Sequence, residues 1–184
     1  FLLAGLNPAF DFKEILKPIN ERIGFLPLDE FSFDGSMSKD YLVQAHWALY
    51  CDNYLEGFHI PFVHEGLNKV LDYGSYSTEL HKYSSLQIGY SDDSNETFNL
   101  PKGHIDYGKQ VAAYYYWVFP NMMFNFYPWG LSVNIVKPIS INRTKVSFLT
   151  YIYDHSKLHK GAGNDIDKVE RVDEIVVENE SKGI

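Results

Sequence analysis

One segment of this sequence places two histidines and a carboxylate close enough to act together. The segment is CDNYLEGFHIPFVH, residues 51–64, in which Glu56 and His59 are three residues apart. Residues three apart on a helix are neighbours on its surface, so these two side chains can meet. His64 follows His59 after five residues, which on an unbroken helix would turn the two imidazoles roughly 140° apart. Pro61 lies between them and favours a helix break, which could fold His64 back toward His59.

The last part of the sequence contains a carboxylate on a predicted apolar helix face. Ile166, Val169, Asp173 and Val176 recur at spacings of three, four and three residues, so a helix would align them. A carboxylate that faces a core needs a cation, a metal ion or several hydrogen-bond donors, because an unpaired buried charge is strongly destabilising. Either Asp173 is such a group, or the helix is rotated so that Asp173 lies at the solvent edge of this face.

Taken together, these side chains could form a metal site. Two neutral imidazoles and one carboxylate make the facial triad of non-haem iron(II) oxygenases, which leaves positions open for water, substrate and dioxygen. An iron ion would also explain a carboxylate on an apolar face. Zinc can bind the same three groups, so the ligand set leaves the choice between iron and zinc open.

The composition limits the other classes of function. The 184 residues include 16 Lys and Arg against 24 Asp and Glu, a formal net charge of −8, which argues against a nucleic-acid partner. No apolar run is long enough to cross a bilayer, so we expect no membrane partner. We expect a location in the reducing cytoplasm, because the chain cannot form an internal disulfide. Cys51 is the only cysteine, which excludes an internal disulfide and an iron–sulfur cluster held within this chain.

The pattern of hydrophobic residues predicts an α+β domain in which a curved antiparallel sheet grips a long C-terminal helix. Strands separated by short turns favour antiparallel neighbours, and helices at both ends of the sequence would cover the sheet. The predicted helices are Asp11–Arg22, His46–Phe58 and Asn164–Lys182. The predicted strands are Tyr41–Ala45, Tyr76–Tyr90 with one break, Val111–Phe119, Met122–Tyr127, Leu131–Pro138 and Lys145–Tyr153.

Three segments of the sequence resemble one family of enzymes. CDNYLEGFHIPFVH resembles the mononuclear-iron motif of Rieske non-haem iron ring-hydroxylating oxygenase alpha subunits, an Asn followed by an acidic residue and His-x4-His. The resemblance continues through AAYYYWVFPNMMFNFYPWGLSVNIVKP, residues 112–138, and VERVDEIVVENESKG, residues 169–183. It therefore covers most of the chain.

The resemblance assigns roles to individual residues. It implies that His59 and His64 are the two imidazole ligands of iron and that Asp173 is the distal aspartate ligand. Among the catalytic residues it implies Glu56, which would link the iron site to the Rieske domain of a neighbouring subunit in a homotrimer. Asn53 matches the asparagine beside this motif.

The family also implies partners that this chain does not itself contain. We expect residues 1–184 to be a single catalytic domain, a fragment without the Rieske domain whose [2Fe-2S] cluster supplies electrons from a reductase or ferredoxin. With Fe(II), dioxygen and those electrons, such enzymes insert oxygen into an aromatic or N-methylated small molecule by dihydroxylation, monohydroxylation or demethylation. We expect the isolated fragment to be inactive by itself.

Two other functions remain open from the sequence. The same helix-grip arrangement, as in START-like domains, could only enclose a hydrophobic ligand, since fold alone does not determine function. The chain could also be a zinc hydrolase, with Glu56 as the general base.

Residues Tyr114–Trp117 could contribute to an aromatic cage for a quaternary ammonium, although alternation along a strand puts at most half of them in one pocket. The histidines outside the motif are expected to be surface or hydrogen-bonding residues, with His104 as the best candidate among them for a pocket.

Overall fold

The computed structural model describes residues 7–56, 77–161, 175, 177–179 and 181–183. Residues 7–56 and 77–161 form two helices and seven strands. They are α1 (Phe12–Ile23), β1 (Ser32–Val43), α2 (Trp47–Glu56), β2 (Ser77–Leu80), β3 (Ser84–Tyr90), β4 (Val111–Val118), β5 (Met122–Tyr127), β6 (Gly130–Ser140) and β7 (Arg143–Ile152). Short 3-10 turns lie at Leu28–Glu30, Ser94–Glu96 and His155–Lys157.

The seven strands form one antiparallel sheet in the order β1-β7-β6-β5-β4-β3-β2. From β2 to β7 each strand pairs with the next in the chain, which is the meander that short turns between strands favour. The predicted α+β class and antiparallel sheet are therefore confirmed, and the five segments predicted after residue 75 all contain strands.

β1 differs most from its prediction. The expected strand Tyr41–Ala45 is only the end of a strand that begins at Ser32. The earlier half was missed because its polar sequence lacks alternation and contains an irregularity between Asp34 and Lys39. There the Asp34 carboxylate accepts a hydrogen bond from the main-chain nitrogen of Ser36 at 2.8 Å, as in a turn.

Helix α1 begins and ends where local chemistry predicts. The Asp11 carboxylate accepts a hydrogen bond from the Lys13 main-chain nitrogen at 2.9 Å, which caps the amino end. Gly24 follows the last helical residue and caps the carboxyl end, while Pro18 is accommodated inside the helix. Ile15, Ile19 and Ile23 are buried on one side of α1 at spacings of four residues.

Because side chains alternate along each strand, the sheet has two faces with different coverings. The face beneath α1, called the α1 face, packs the three isoleucines of the helix against apolar side chains of the sheet. Those sheet residues are Leu86, Ile88, Tyr114, Tyr116, Phe124, Phe126, Leu131 and Val133.

The opposite face, called the α2 face, packs against helix α2 and carries more polar groups. Tyr50 and Cys51 of α2 lie in one cluster with apolar side chains of the sheet. The residues of the sheet that define this face are Gln87, Tyr115, Trp117, Met123, Asn125, Ser132, Asn134, Val136, Val146 and Phe148.

The described residues near the C terminus are helical and reach the α2 face. Val177 is fully buried in the cluster that contains Tyr50 and Cys51, whereas Ile175 is 58% exposed. The Glu178 carboxylate accepts a hydrogen bond from the Gln44 main-chain nitrogen at 2.8 Å. This part of the predicted C-terminal helix is thus tied to the short connection between β1 and α2. Within the described ranges, no helix is long and apolar enough to span a membrane.

Candidate functional site

The predicted metal ligands and the residues beside them divide between described and undescribed parts of the chain. His59, His64 and Asp173 lie outside the described residues, as do Ile166, Val169 and Val176 of the predicted apolar stripe. Asn53 and Glu56 are both in the last turns of α2, where Asn53 is buried and Glu56 is exposed. Elsewhere in the described ranges, no group of three or more His, Cys, Asp or Glu side chains could hold a metal ion.

The carboxyl end of α2 is held by a side chain from the sheet. The last carbonyl groups of a helix have no partner within the helix and need donors from outside it. The side-chain amide of buried Gln87 on β3 donates to the main-chain oxygen of Tyr54 at 3.0 Å and lies 3.4 Å from that of Leu55. This contact holds the last described turn of α2, which precedes His59 and His64 in the sequence.

A chain of hydrogen bonds crosses the α2 face from this helix to the middle of the sheet. The Tyr54 hydroxyl donates to the Asn125 side-chain oxygen at 2.8 Å, and the Asn125 amide nitrogen donates to the Asn134 side-chain oxygen at 3.2 Å. Ser132 donates to the same Asn134 oxygen at 3.4 Å. We call Tyr54, Asn125, Ser132 and Asn134 the polar relay. Burying amides in the middle of a sheet is unfavourable unless they are hydrogen-bonded, so the relay marks a specialised part of this face.

Aromatic side chains continue the α2 face beyond the relay. Tyr127 and Trp129 stack with their ring centroids 5.2 Å apart, and the Tyr115 ring meets Tyr127 edge to face at 5.9 Å. Burial, with the nearby Tyr127 hydroxyl, raises the pKa of Tyr115 well above its ordinary value, so Tyr115 is neutral at physiological pH. Within the described residues the Trp129 indole nitrogen is buried without a hydrogen-bond partner.

The Tyr114–Trp117 run divides between the two faces as alternation requires. Tyr115 and Trp117 are on the α2 face, while Tyr114 and Tyr116 pack beneath α1. At most half of the run can therefore belong to one pocket, as predicted.

The α1 face contains a charged cluster that the sequence did not indicate. Arg22 donates through Nη1 to buried Asp106, and its Nη2 donates to both carboxylate oxygens of Glu79, at 2.5 and 2.6 Å. Asp106 also accepts from Lys109 at 2.9 Å and from the Tyr114 hydroxyl at 3.0 Å.

His104 supports this cluster through the main chain. Its Nδ1 accepts from the Asp106 main-chain nitrogen at 3.0 Å, and its Nε2 lies 2.6 Å from the Arg22 main-chain oxygen. An Nδ1 that accepts leaves the ring proton on Nε2, which then donates to Arg22. His104 is thus a hydrogen-bonding residue, as expected for the histidines outside the motif.

A cavity of about 500 Å³ lies between α1 and the sheet on the α1 face. Its lining is almost entirely apolar and includes Leu16, Ile19, Phe124, Leu131 and Leu149. It is separated by the sheet from the polar relay.

Sequence reasoning missed Gln87 and the polar relay. The available signal was the isolated polar residue inside each strongly apolar strand, Asn125 in MMFNFY and Asn134 in LSVNIV. A buried polar residue in an apolar strand is an exception that calls for a partner or a function.

Comparison with known proteins finds a protein family and relatives that match most of this chain. A family model described as the catalytic domain of the ring hydroxylating alpha subunit matches residues 28–179. Choline monooxygenase from Arabidopsis thaliana, a chloroplast protein, is 30% identical over 154 residues, which cover 79% of this chain and 34% of the relative. The carnitine monooxygenase oxygenase subunit from Escherichia coli is 29% identical over 84 residues, 46% of this chain and 21% of the relative.

The fold is also found among solved structures. A quaternary ammonium Rieske monooxygenase, studied for carnitine oxidation by gut microbiota and inter-subunit electron transfer, superposes with a TM-score of 0.70 at 19% identity. The match covers 95% of this chain and 47% of that one. The chain therefore spans about a third of the length of the choline relative and about half of that structure.

Proposed function

Because the chain belongs to the family of ring-hydroxylating oxygenase alpha subunits, we propose that it is the iron-binding catalytic domain of a Rieske-type monooxygenase. The observation that carries the proposal is the family match itself. It extends over residues 28–179 and so includes the positions of His59, His64 and Asp173.

The chemistry of these three side chains fits iron. Two imidazoles and one carboxylate would hold Fe(II) on one side and leave the other side accessible. When bound, the iron would supply the activation of dioxygen. The fixed carboxyl end of α2 supports the histidine part of this assignment, since Gln87 anchors Tyr54 five residues before His59. Val177 supports the aspartate part, because a residue four positions earlier on a continuing helix would share its buried face.

The residues near the proposed iron have separate tasks. The α2 face would exclude water from one side of the site through buried Tyr127 and Trp129 and partly buried Tyr115. Exposed Glu56, at the end of α2, would accept a hydrogen bond from the Rieske domain of a neighbouring subunit in a homotrimer. Buried Asn53, one turn earlier, lies beneath the same end of the helix.

The substrate class that we propose is an N-methylated small molecule, of the quaternary ammonium type. Choline and carnitine monooxygenases among the relatives support this choice over an aromatic hydrocarbon. The electrons would come from a [2Fe-2S] Rieske cluster and its reductase or ferredoxin, which are not part of this chain.

The test of this function is the iron content of variants reconstituted with Fe(II) under nitrogen. We expect wild type to retain stoichiometric iron and His59→Ala and Asp173→Ala to lose it, because each variant removes one of only three protein ligands. His159→Ala is the matched control, since it removes a histidine outside the motif. Equal iron content in wild type and both ligand variants contradicts the proposal.

The cavity on the α1 face favours a second candidate, a domain that binds a hydrophobic ligand without catalysis. Its volume of about 500 Å³ and its apolar lining would suit a small hydrophobic molecule. Calorimetry of the metal-free chain with anilinonaphthalene sulfonate distinguishes the two functions. Tight binding that Leu131→Gln abolishes, in a protein that never retains iron, would favour this candidate over the oxygenase.

A further inference from the structure

The last residue of the polar relay, Asn134, has a hydrogen-bond donor that bonds to no residue in the described ranges. The residue is 6% exposed and lies in the middle of the sheet, opposite Met123. Its side-chain oxygen accepts two hydrogen bonds, from Asn125 and from Ser132. Its amide nitrogen has no hydrogen-bond partner in the part of the chain that the structure describes.

The hydrogen bonds of the polar relay determine whether the oxygen or the nitrogen of the Asn134 side-chain amide lacks a partner among the described residues. The Tyr54 hydroxyl has a single proton and lies 2.8 Å from the Asn125 oxygen but 3.4 Å from the Tyr116 main-chain oxygen, so it donates to Asn125. Asn125 must then present its nitrogen to Asn134, and Asn134 must present its oxygen to Asn125. The NH2 group of Asn134 is consequently the end that is directed away from the relay.

A donor on a largely buried side chain that bonds to no described residue can gain a partner from a ligand. Asn134 is on the face covered by α2, the helix whose end leads to the proposed iron ligands. The group suited to it is an oxygen that accepts a hydrogen bond, such as an ether, a hydroxyl or a carboxylate.

From this geometry we infer that Asn134 is a specificity-determining residue whose amide nitrogen donates a hydrogen bond to an oxygen atom of the substrate, a small quaternary ammonium that carries such an oxygen. This inference rests on the proposed function for the location of the substrate. It adds which atom of the substrate the sheet recognises and which side chain recognises it.

The test compares two ligands that differ only in the acceptor. (2-Methoxyethyl)trimethylammonium has an ether oxygen where butyltrimethylammonium has a methylene group, and neither can donate. Their dissociation constants are measured by calorimetry on the iron-reconstituted chain under nitrogen. We expect wild type to bind the ether about 10-fold more tightly, the equivalent of about 1.4 kcal/mol.

Two variants of Asn134 remove the donor in different ways. Asn134→Asp keeps an oxygen for Asn125 and Ser132 but turns a second oxygen toward the ligand, whereas Asn134→Leu removes the polar group without adding charge. We expect the ratio of the two dissociation constants to fall to about 1 or below in both, since one missing hydrogen bond accounts for the preference. Because both ligands carry the same charge, the ratio is independent of any general attraction of the new carboxylate for cations. Exposed Asn142→Asp is the control for that charge change and should keep the wild-type ratio.

Each other result overturns the inference. These results are a wild-type ratio near 1, a ratio unchanged in both Asn134 variants, and no saturable binding of either ammonium to wild type. The iron content is measured in the same samples. The ratio of the two dissociation constants is determined whether or not the samples retain iron. A chain that fails to retain iron therefore counts against the oxygenase proposal alone, and the ratio alone decides the role of Asn134.

Discussion

The two faces of the sheet contain buried polar networks that differ in how completely they are satisfied. On the α1 face, Asp106 accepts hydrogen bonds from Arg22, Lys109 and Tyr114, and Arg22 also pairs with Glu79. On the α2 face, the polar relay runs from Tyr54 to Asn134 and ends in a donor without a partner.

From this difference we expect the network on the α1 face to stabilise the fold and the polar relay on the α2 face to bind a ligand. A saturated network joins parts of the chain that would otherwise be independent, here the end of α1 and the loop 101–109. A network that ends in an unused donor can instead form a hydrogen bond with a group from outside the fold, such as a ligand. Variants in the two networks should therefore differ in whether they change stability or binding.

The largest loss of stability is expected for Asp106→Asn. Asp106 is fully buried and Arg22 is 6% exposed, so the variant leaves a buried guanidinium with only the half-exposed Glu79 as its carboxylate partner. Breaking one side of a buried pair typically costs about 3–5 kcal/mol of the free energy of unfolding. Urea unfolding measures it, and exposed Asp92→Asn in the same loop should change it by less than about 0.5 kcal/mol.

The pH dependence of wild type and Asp106→Asn checks the cause of this loss. Although burial opposes the shift, hydrogen bonds from Lys109 and Arg22 hold the pKa of Asp106 below its usual value. A carboxyl whose pKa is lower in the folded state stabilises the fold above its unfolded pKa, and this contribution disappears as the pH falls through the folded pKa. Wild type should therefore lose more stability than Asp106→Asn between pH 7 and about pH 3. Parallel curves would show that the charge of Asp106 is not what stabilises the protein.

A smaller effect is expected for Gln87→Glu, at the junction between α2 and the sheet. The substitution replaces an amide donor by a carboxylate next to the main-chain oxygens of Tyr54 and Leu55, so these oxygens lose their donor. The free energy of unfolding should fall by about 1–3 kcal/mol. Hydrogen exchange should accelerate at residues 52–56, while α1 stays protected.

Exposed Gln110→Glu is the matched control, because it also removes an amide that donates to main-chain oxygens, here those of Ser91 and Asp92, and it should leave exchange at residues 52–56 unchanged. If Gln87→Glu lowers stability but leaves exchange at the end of α2 as in wild type, Gln87 does not hold that end.

The helices and strands could be predicted from the sequence better than the hydrogen bonds that join them. The strand Met122–Tyr127 and the cap at Asp11 depend on local alternation and on a local hydrogen bond, so both were accessible without a structure. The Arg22–Asp106 pair joins residues 84 apart in the chain, and Gln87 reaches Tyr54 across 33 residues. Such pairs depend on strand register and helix placement, which local patterns do not determine.

The predicted iron site was reached from motif spacing and resemblance, and His59, His64 and Asp173 remain predictions. Asn134 could not have been found in this way. Its importance depends on the hydrogen bonds that occupy its oxygen and leave its nitrogen unused, which only the paired strands β5 and β6 reveal.

The smallest expected change of stability is for Tyr54→Phe, yet this variant bears most directly on the difference between the two networks. Removing the hydroxyl takes one donor from Asn125 and should lower the free energy of unfolding by only about 0.5–1.5 kcal/mol. Without that proton, the Asn125 and Asn134 amides are free to rotate together, so the donor is no longer always directed toward the ligand. We expect the preference for the ether over the butyl ammonium to fall part of the way from about 10-fold toward 1, as orientation is lost but the amide remains. Exposed Tyr107→Phe should alter neither quantity. A loss of stability as large as that of Asp106→Asn, with the ligand preference intact, would mean that the relay holds the fold just as the charged cluster does.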